Sequence, residues 1–243
     1  MYPQKKQQLG SVQGIITDGR MGPAVQGVTV TAWKGSTNLG STTTDANGFY
    51  SLSISPDSGI DLVATKTGQA STRFQNINIT ANNTISADII MKKVFNSSWS
   101  TNAPYATVGG VTAGETIKDT VTITVTLKGG AGDYKCAYIG IGQDFYTGIE
   151  QEDLGYYTNI HPFEVSIDTT RLPDGESFVH VVAYDVNENC VITRIPVTID
   201  NDLSSGSSLT MLNPIYVTAV TLGDDMQFDR LSKARFNSQW KEV

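Results

Sequence analysis

The sequence has little of what enzymes and nucleic-acid binders are usually built from. It holds two histidines and two cysteines, and only 17% of its 243 residues are charged. No H-E-x-x-H and no paired C-x-x-C occurs, so zinc sites of the common kinds are absent. No G-x-S-x-G elbow occurs either, which removes one familiar setting for a serine nucleophile. Lys and Arg number eight against five acidic residues in 1–95, five against fifteen in 96–202, and four against four in 203–243. An acidic middle with no basic stripe argues against nucleic acid as the partner, because phosphate binding needs clustered Lys and Arg. No apolar run approaches the ~20 residues that span a bilayer. The opening MYPQKKQQLGSVQG has lysines but no hydrophobic stretch behind them, so it is not an intact signal peptide. Either a signal has been trimmed away, or export does not use that route.

What is plentiful is turn-forming and strand-forming residues. Apolar residues alternate with period two, and convincing helical periodicity is scarce. The first block reads as strands at 11–17, 28–34, 40–44, 48–54, 60–67, 73–79 and 84–91, separated by GRMGP, ANG, PDSG and ANN. A polar stretch near 93–107 reads as a linker. A second block reads as strands at 120–128, 134–142, 163–167, 177–185 and 191–200. DLSSGSS at 202–208 reads as a further flexible linker. The remaining tail is too short for a core of its own. Its Met226, Phe228, Leu231, Phe236 and Trp240 are too apolar for a free polar end.

TTTDANGFYSL at 42–52 poses a choice between a calcium loop and a turn. Asp45, Asn47 and Gly48 echo the start of such a loop, but FYSLSIS after Gly48 supplies no carboxylate. Asn-Gly between two β-runs is instead a hairpin signal, because both residues tolerate positive φ. The stretch is predicted to be a turn.

The run GSVQGIITD, then PAVQGVTVTA, then TTDANGFYSL and Gly68, resembles the carboxypeptidase regulatory-like family over about residues 9–91. That resemblance implies a transthyretin-like seven-stranded β-sandwich with a stabilising or adhesive accessory role and no catalytic residues. In the second block, DTTRLPDG at 168–175 followed by Val179, Val181, Ala183 and Asp185 is similar to bacterial immunoglobulin-like modules. The fold class expected is therefore all-β: two tandem β-sandwich domains, transthyretin-like then immunoglobulin-like, with a short C-terminal segment. The expected boundaries are an N-terminal arm at 1–8, the first sandwich at 9–92, a linker at 93–107 and the second sandwich at 108–202. Residues 203–243 are then a linker and the start of a further domain, or a docking tail.

Alternation turns Val179, Val181 and Ala183 inward, which leaves Phe178, His180, Val182 and Tyr184 pointing outward. Tyr134 and Tyr138 share one face of the strand expected beside it. An outward face carrying Tyr138, Phe178 and Tyr184, with Tyr156 and Tyr157 in the long loop 143–158, is the candidate ligand site. Such a face can stack sugar rings, although cross-strand aromatic pairs also stabilise sheets without any ligand. Asp185, Asn187 and Asn189 offer three oxygen side chains at alternate positions, a candidate structural calcium site in which Cys190 stands where glycine is expected. No other cofactor is implied. The immunoglobulin-like resemblance implies that Cys136 opens the third strand and Cys190 the last, with the 177–185 strand between them. Two strand spacings of ~4.8 Å exceed the ~7 Å reach of a disulfide, so both are expected to be free, partly buried thiols.

The expected function is that of a non-catalytic structural or adhesion module in a bacterial cell-surface or secreted multidomain protein, not an enzyme. Its partners would be other domains of a larger protein, or a surface glycan or protein. Two alternatives stand: a carbohydrate-binding accessory region of a polysaccharide-degrading enzyme, with Tyr138, Tyr157 and Tyr184 as stacking platforms, and a virion decoration or tail structural protein.

Overall fold

The structure is a computed structural model and describes residues 8–19, 22–94, 102–142 and 154–201. The apolar tail lies outside the described residues. Among the described residues there are sixteen strands. In the first lobe they are β1 (Gly10–Asp18), β2 (Thr29–Lys34), β3 (Thr37–Thr43), β4 (Phe49–Ile54), β5 (Asp57–Thr65), β6 (Thr72–Ile79), β7 (Thr84–Ser86) and β8 (Ile89–Met91). In the second they are β9 (Tyr105–Gly109), β10 (Glu115–Ile117), β11 (Thr120–Lys128), β12 (Tyr134–Gly142), β13 (Leu154–Thr158), β14 (Phe163–Asp168), β15 (Gly175–Asp185) and β16 (Cys190–Ile199). The all-β prediction holds.

One sheet runs through both lobes in the order β13-β12-β15-β16-β6-β5-β2-β3, with β10 alongside β16. The join is a parallel pairing of β16 with β6, from Cys190 opposite Thr72 to Thr193 opposite Gln75. A second layer, β4-β1-β7 with β8, completes the first lobe; a third, β14-β11-β9, completes the second. The two cores lie on opposite faces of the shared sheet. At the join, Ile192 belongs with Phe74 to the core of the first lobe, whereas its neighbour Val191 belongs to the core of the second. Period-two alternation thus serves two cores from one strand.

The turn at 45–48 is a turn, but not a hairpin. β3 pairs with β2 and β4 with β1, so the chain crosses here from one layer to the other. The Asp45 carboxylate accepts from the backbone N–H of Asn47 at 2.8 Å and of Phe49 at 2.9 Å. Gly48 alone takes the left-handed conformation, at φ +72. A Cβ there would sit 2.6 Å from the Ile16 carbonyl oxygen. Gly48→Ala is therefore expected to cost about 1–3 kcal/mol, read as a lower denaturation midpoint with an unchanged slope.

Other expectations are corrected. The single strand expected at 84–91 is broken at Ala87 and Asp88, where Asp88 Oδ1 accepts from the Ile15 N–H and ends one ladder before the next begins. The expected linker 93–107 contains the start of β9, and Ala103 within it is buried. β10 and β13 were too short to read from pattern.

Candidate functional site

The predicted aromatic face does not form an open platform. Val182, Tyr184, Cys190 and Ile192 are buried in the core of the first lobe, with Cys136 and Tyr138 packed against them. His180, predicted to face outward, is buried and hydrogen-bonds through Nε2 to the Gly142 carbonyl at 3.0 Å. The reason is the shared sheet: a strand joined to a neighbouring lobe on one side is covered on both faces. Tyr134 does not share the Tyr138 face. A bulge between Tyr134 and Cys136 turns it to the opposite side, where it packs on the second core with its ring 4.6 Å from that of His161. Phe178 stays half-buried with the Arg194 guanidinium 4.1 Å over its ring. The backbones of Tyr156 and Tyr157 stand in β13 opposite Ile139 and Tyr138. Their side chains, and the loop at 143–153, lie outside the described residues.

The three residues proposed for calcium form a cap instead. Asp185 is fully buried. Its Oδ1 accepts from the N–H of Asn187 and of Asn189, both at 2.9 Å. Its Oδ2 accepts from Asn189 Nδ2 at 2.9 Å and from the Ala131 N–H at 2.8 Å. Four donors aimed at one carboxylate saturate it, and a cation there would face N–H dipoles of the wrong sign. The oxygen of the Asn189 amide is taken as well, by the Ser71 N–H of the first lobe at 3.0 Å. The set does not fit a metal. It fits a tight turn that also fastens one lobe to the other.

Around that turn the lobes are clasped by charge. Glu188, at φ +66 in the turn, bonds Lys92 of the first lobe at 2.9 Å and also Lys135 of β12. Lys92 lies 4.2 Å over the Tyr184 ring. On the other face, Arg73 pairs with Asp61 at 3.1 Å and stacks 3.7 Å over Tyr105 at the start of β9. Beside it Gln75 Oε1 accepts from the Ala106 N–H at 2.6 Å. Sequence reading missed these residues because each clasp joins positions far apart in the chain.

Burial pushes the Glu188 carboxyl up, but the hydrogen bonds from Lys135 and Lys92 outweigh it and hold the group below the ordinary glutamate value. The Glu188 bond in turn raises Lys135. A lowered acid contributes stability above its unfolded pKa and loses it as pH falls through the folded value. A raised lysine contributes below its ordinary value and loses it as pH climbs through the folded one. Glu188→Gln is therefore expected to cost about 0.5–1 kcal/mol at neutral pH, a cost that shrinks as pH falls below the ordinary glutamate range. Denaturation midpoints of the two proteins should converge on acidification. A constant gap across that range would show that the glutamate charge is not what counts.

Both cysteines are free, as expected. β15 does lie between β12 and β16, with Cys136 and Cys190 on either side of Tyr184. Burial pushes both thiols up, so neither is a ready nucleophile.

The first lobe, with β1 between β4 and β7 in one layer and β2, β5 and β6 in the other, can be compared with known families. Residues 11–92 match the family model of the carboxypeptidase regulatory-like domain. This regulatory-like lobe is the part that supplies β6, Ser71 and Lys92 to the seam. No curated protein matches the chain. Among solved structures, a provisionally assigned carbohydrate-binding protein of Bacteroides uniformis aligns at 13% identity and TM-score 0.29, covering 77% of this chain and 98% of that one. The major pilin subunit of Bacillus cereus aligns at 15% identity and TM-score 0.30, covering 79% and 69%. The endo-beta-1,4-mannanase of Thermotoga petrophila aligns at 23% identity and TM-score 0.31 over 44% of this chain and 22% of that enzyme. None of these scores is high enough to carry an activity or a ligand across.

Proposed function

We propose that the chain is a non-catalytic structural or adhesion module of a bacterial cell-surface or secreted multidomain protein, with an immunoglobulin-like second lobe behind the regulatory-like one. The observation that carries this reading is the single sheet through both lobes. At the join its two faces are committed to cores and its seam is hydrogen-bonded and clasped, so the two sandwiches behave as one stiff body. Stiffness of that kind spaces or displays a neighbour. The chain's two histidines are both spent on structure: His161 Nε2 accepts from the Leu127 N–H at 2.9 Å, and His180 is held by Gly142.

The test is to locate the native product with an antibody on intact cells, in culture supernatant and in purified virions. Surface or supernatant signal supports the proposal. Recovery in virions overturns it in favour of a decoration protein. The carbohydrate-binding reading keeps one foothold, the half-buried Phe178 beneath Arg194. A glycan array on which binding is seen and then lost with Phe178→Ala would bring that reading forward.

A further inference from the structure

We infer that the seam and the outer strands make this protein a load-bearing element, in which tension shears paired strands rather than peeling them. The inference rests on the structural-module reading above. β1 begins at Gly10 and runs parallel to two strands: Ser11–Gln13 lie opposite Thr84–Ser86 of β7, and Ile16–Asp18 opposite Ile89–Met91 of β8. The chain leaves β8 at Met91 for the second lobe. A pull on β1 toward Gly10 and a pull on β8 toward Met91 therefore oppose each other along the strand axis. The register pairs with β7 and β8 share that load and must yield together.

The second lobe repeats the device. β16 begins in parallel register with β6 of the regulatory-like lobe, Cys190–Thr193 opposite Thr72–Gln75. It ends in parallel register with β10, Glu115–Ile117 opposite Val197–Ile199. Load arriving through β6 thus enters one end of β16 and leaves at the other, again along the strand. It need not pass through the turns of the second lobe. The clasps of Lys92 on Glu188 and of Asn189 on Ser71 sit where β6 hands load to β16. Bonds loaded along the strand axis share the force and resist as a group, whereas bonds pulled across the axis from one end of a pair open one after another. Forced unfolding is governed by that barrier rather than by equilibrium stability.

The test is single-molecule pulling on the full chain in two directions. Handles at Leu9 and Asp200 load the parallel pairs. Handles at Leu9 and Ser55 instead peel β1 from β4, because Gly10 and Ile54 are register partners at one end of that antiparallel pair. At equal loading rate the first geometry is expected to rupture at clearly higher force. Equal or lower force in the first geometry overturns the inference. The outcome is independent of where the protein resides. A chain that is strong along Leu9–Asp200 yet recovered in virions keeps the clamp and sinks the surface reading; one found on cells but equally weak in both directions does the reverse.

Discussion

Asp185→Ala is expected to lower stability by about 3–5 kcal/mol, because removing the shared acceptor leaves four N–H donors without their partner, each costing roughly 1–3 kcal/mol before the turn relaxes. For a domain of this size that corresponds to a fall of roughly 6–20 °C in Tm. The carboxylate is fully buried and holds four N–H donors from Ala131, Asn187 and Asn189. Alanine supplies no acceptor for any of them. Asn189→Ala removes the Nδ2 donor and the acceptor of the Ser71 N–H, and should cost less, about 1–3 kcal/mol. Melting with calcium and with EDTA separates this cap from a cation site. The cap predicts the same midpoint for the unaltered protein in both, and an Asp185→Ala deficit that calcium does not change. A midpoint that falls with EDTA only when Asp185 is present would restore the metal reading.

Much of this fold is legible in local pattern, because most strands bury one face. Thr120–Lys128 and Phe163–Asp168 alternate cleanly and lie in the outer layer of the second lobe. The strands that join the lobes gave a different signal. Val179–Tyr184 and Cys190–Thr193 are buried throughout, a near-continuous run of the kind that marks strands covered on both faces. Reading VHVVAY as an alternation placed Tyr184 outside. Reading it as a run would have placed it inside and implied a cover. What covers it could not be read. Asn189 meets Ser71 across 118 residues of chain, and a parallel pairing leaves no turn between its strands to announce it. Short polar strands such as Glu115–Ile117 escaped for a similar reason: they exist because β16 is there to pair with, not because of their own propensity. The aromatic pattern misled through one residue. The bulge at Lys135 reverses the face of Tyr134, and a one-residue slip is invisible to period-two counting.

Tyr184→Ala is the second large effect, about 3–5 kcal/mol for removing an aromatic ring from a packed site. The ring is 9% exposed. It packs into the core of the first lobe from a strand of the second, under the Lys92 ammonium. Its loss opens a cavity at the seam and weakens the hold of one lobe on the other. Tyr184→Phe keeps the ring and should cost no more than about 1 kcal/mol. Phe178→Ala, on the half-buried part of the same face, should cost about 1–2 kcal/mol, since less apolar area returns to water. Denaturation should also lose cooperativity in Tyr184→Ala, with a shallower slope as the lobes begin to melt apart. A sugar-stacking tyrosine behaves in the opposite way: its alanine variant keeps the melting curve and loses the ligand. If Tyr184→Ala melts with the unaltered protein, the ring is not holding the lobes together, and the shared core at the seam is the wrong description.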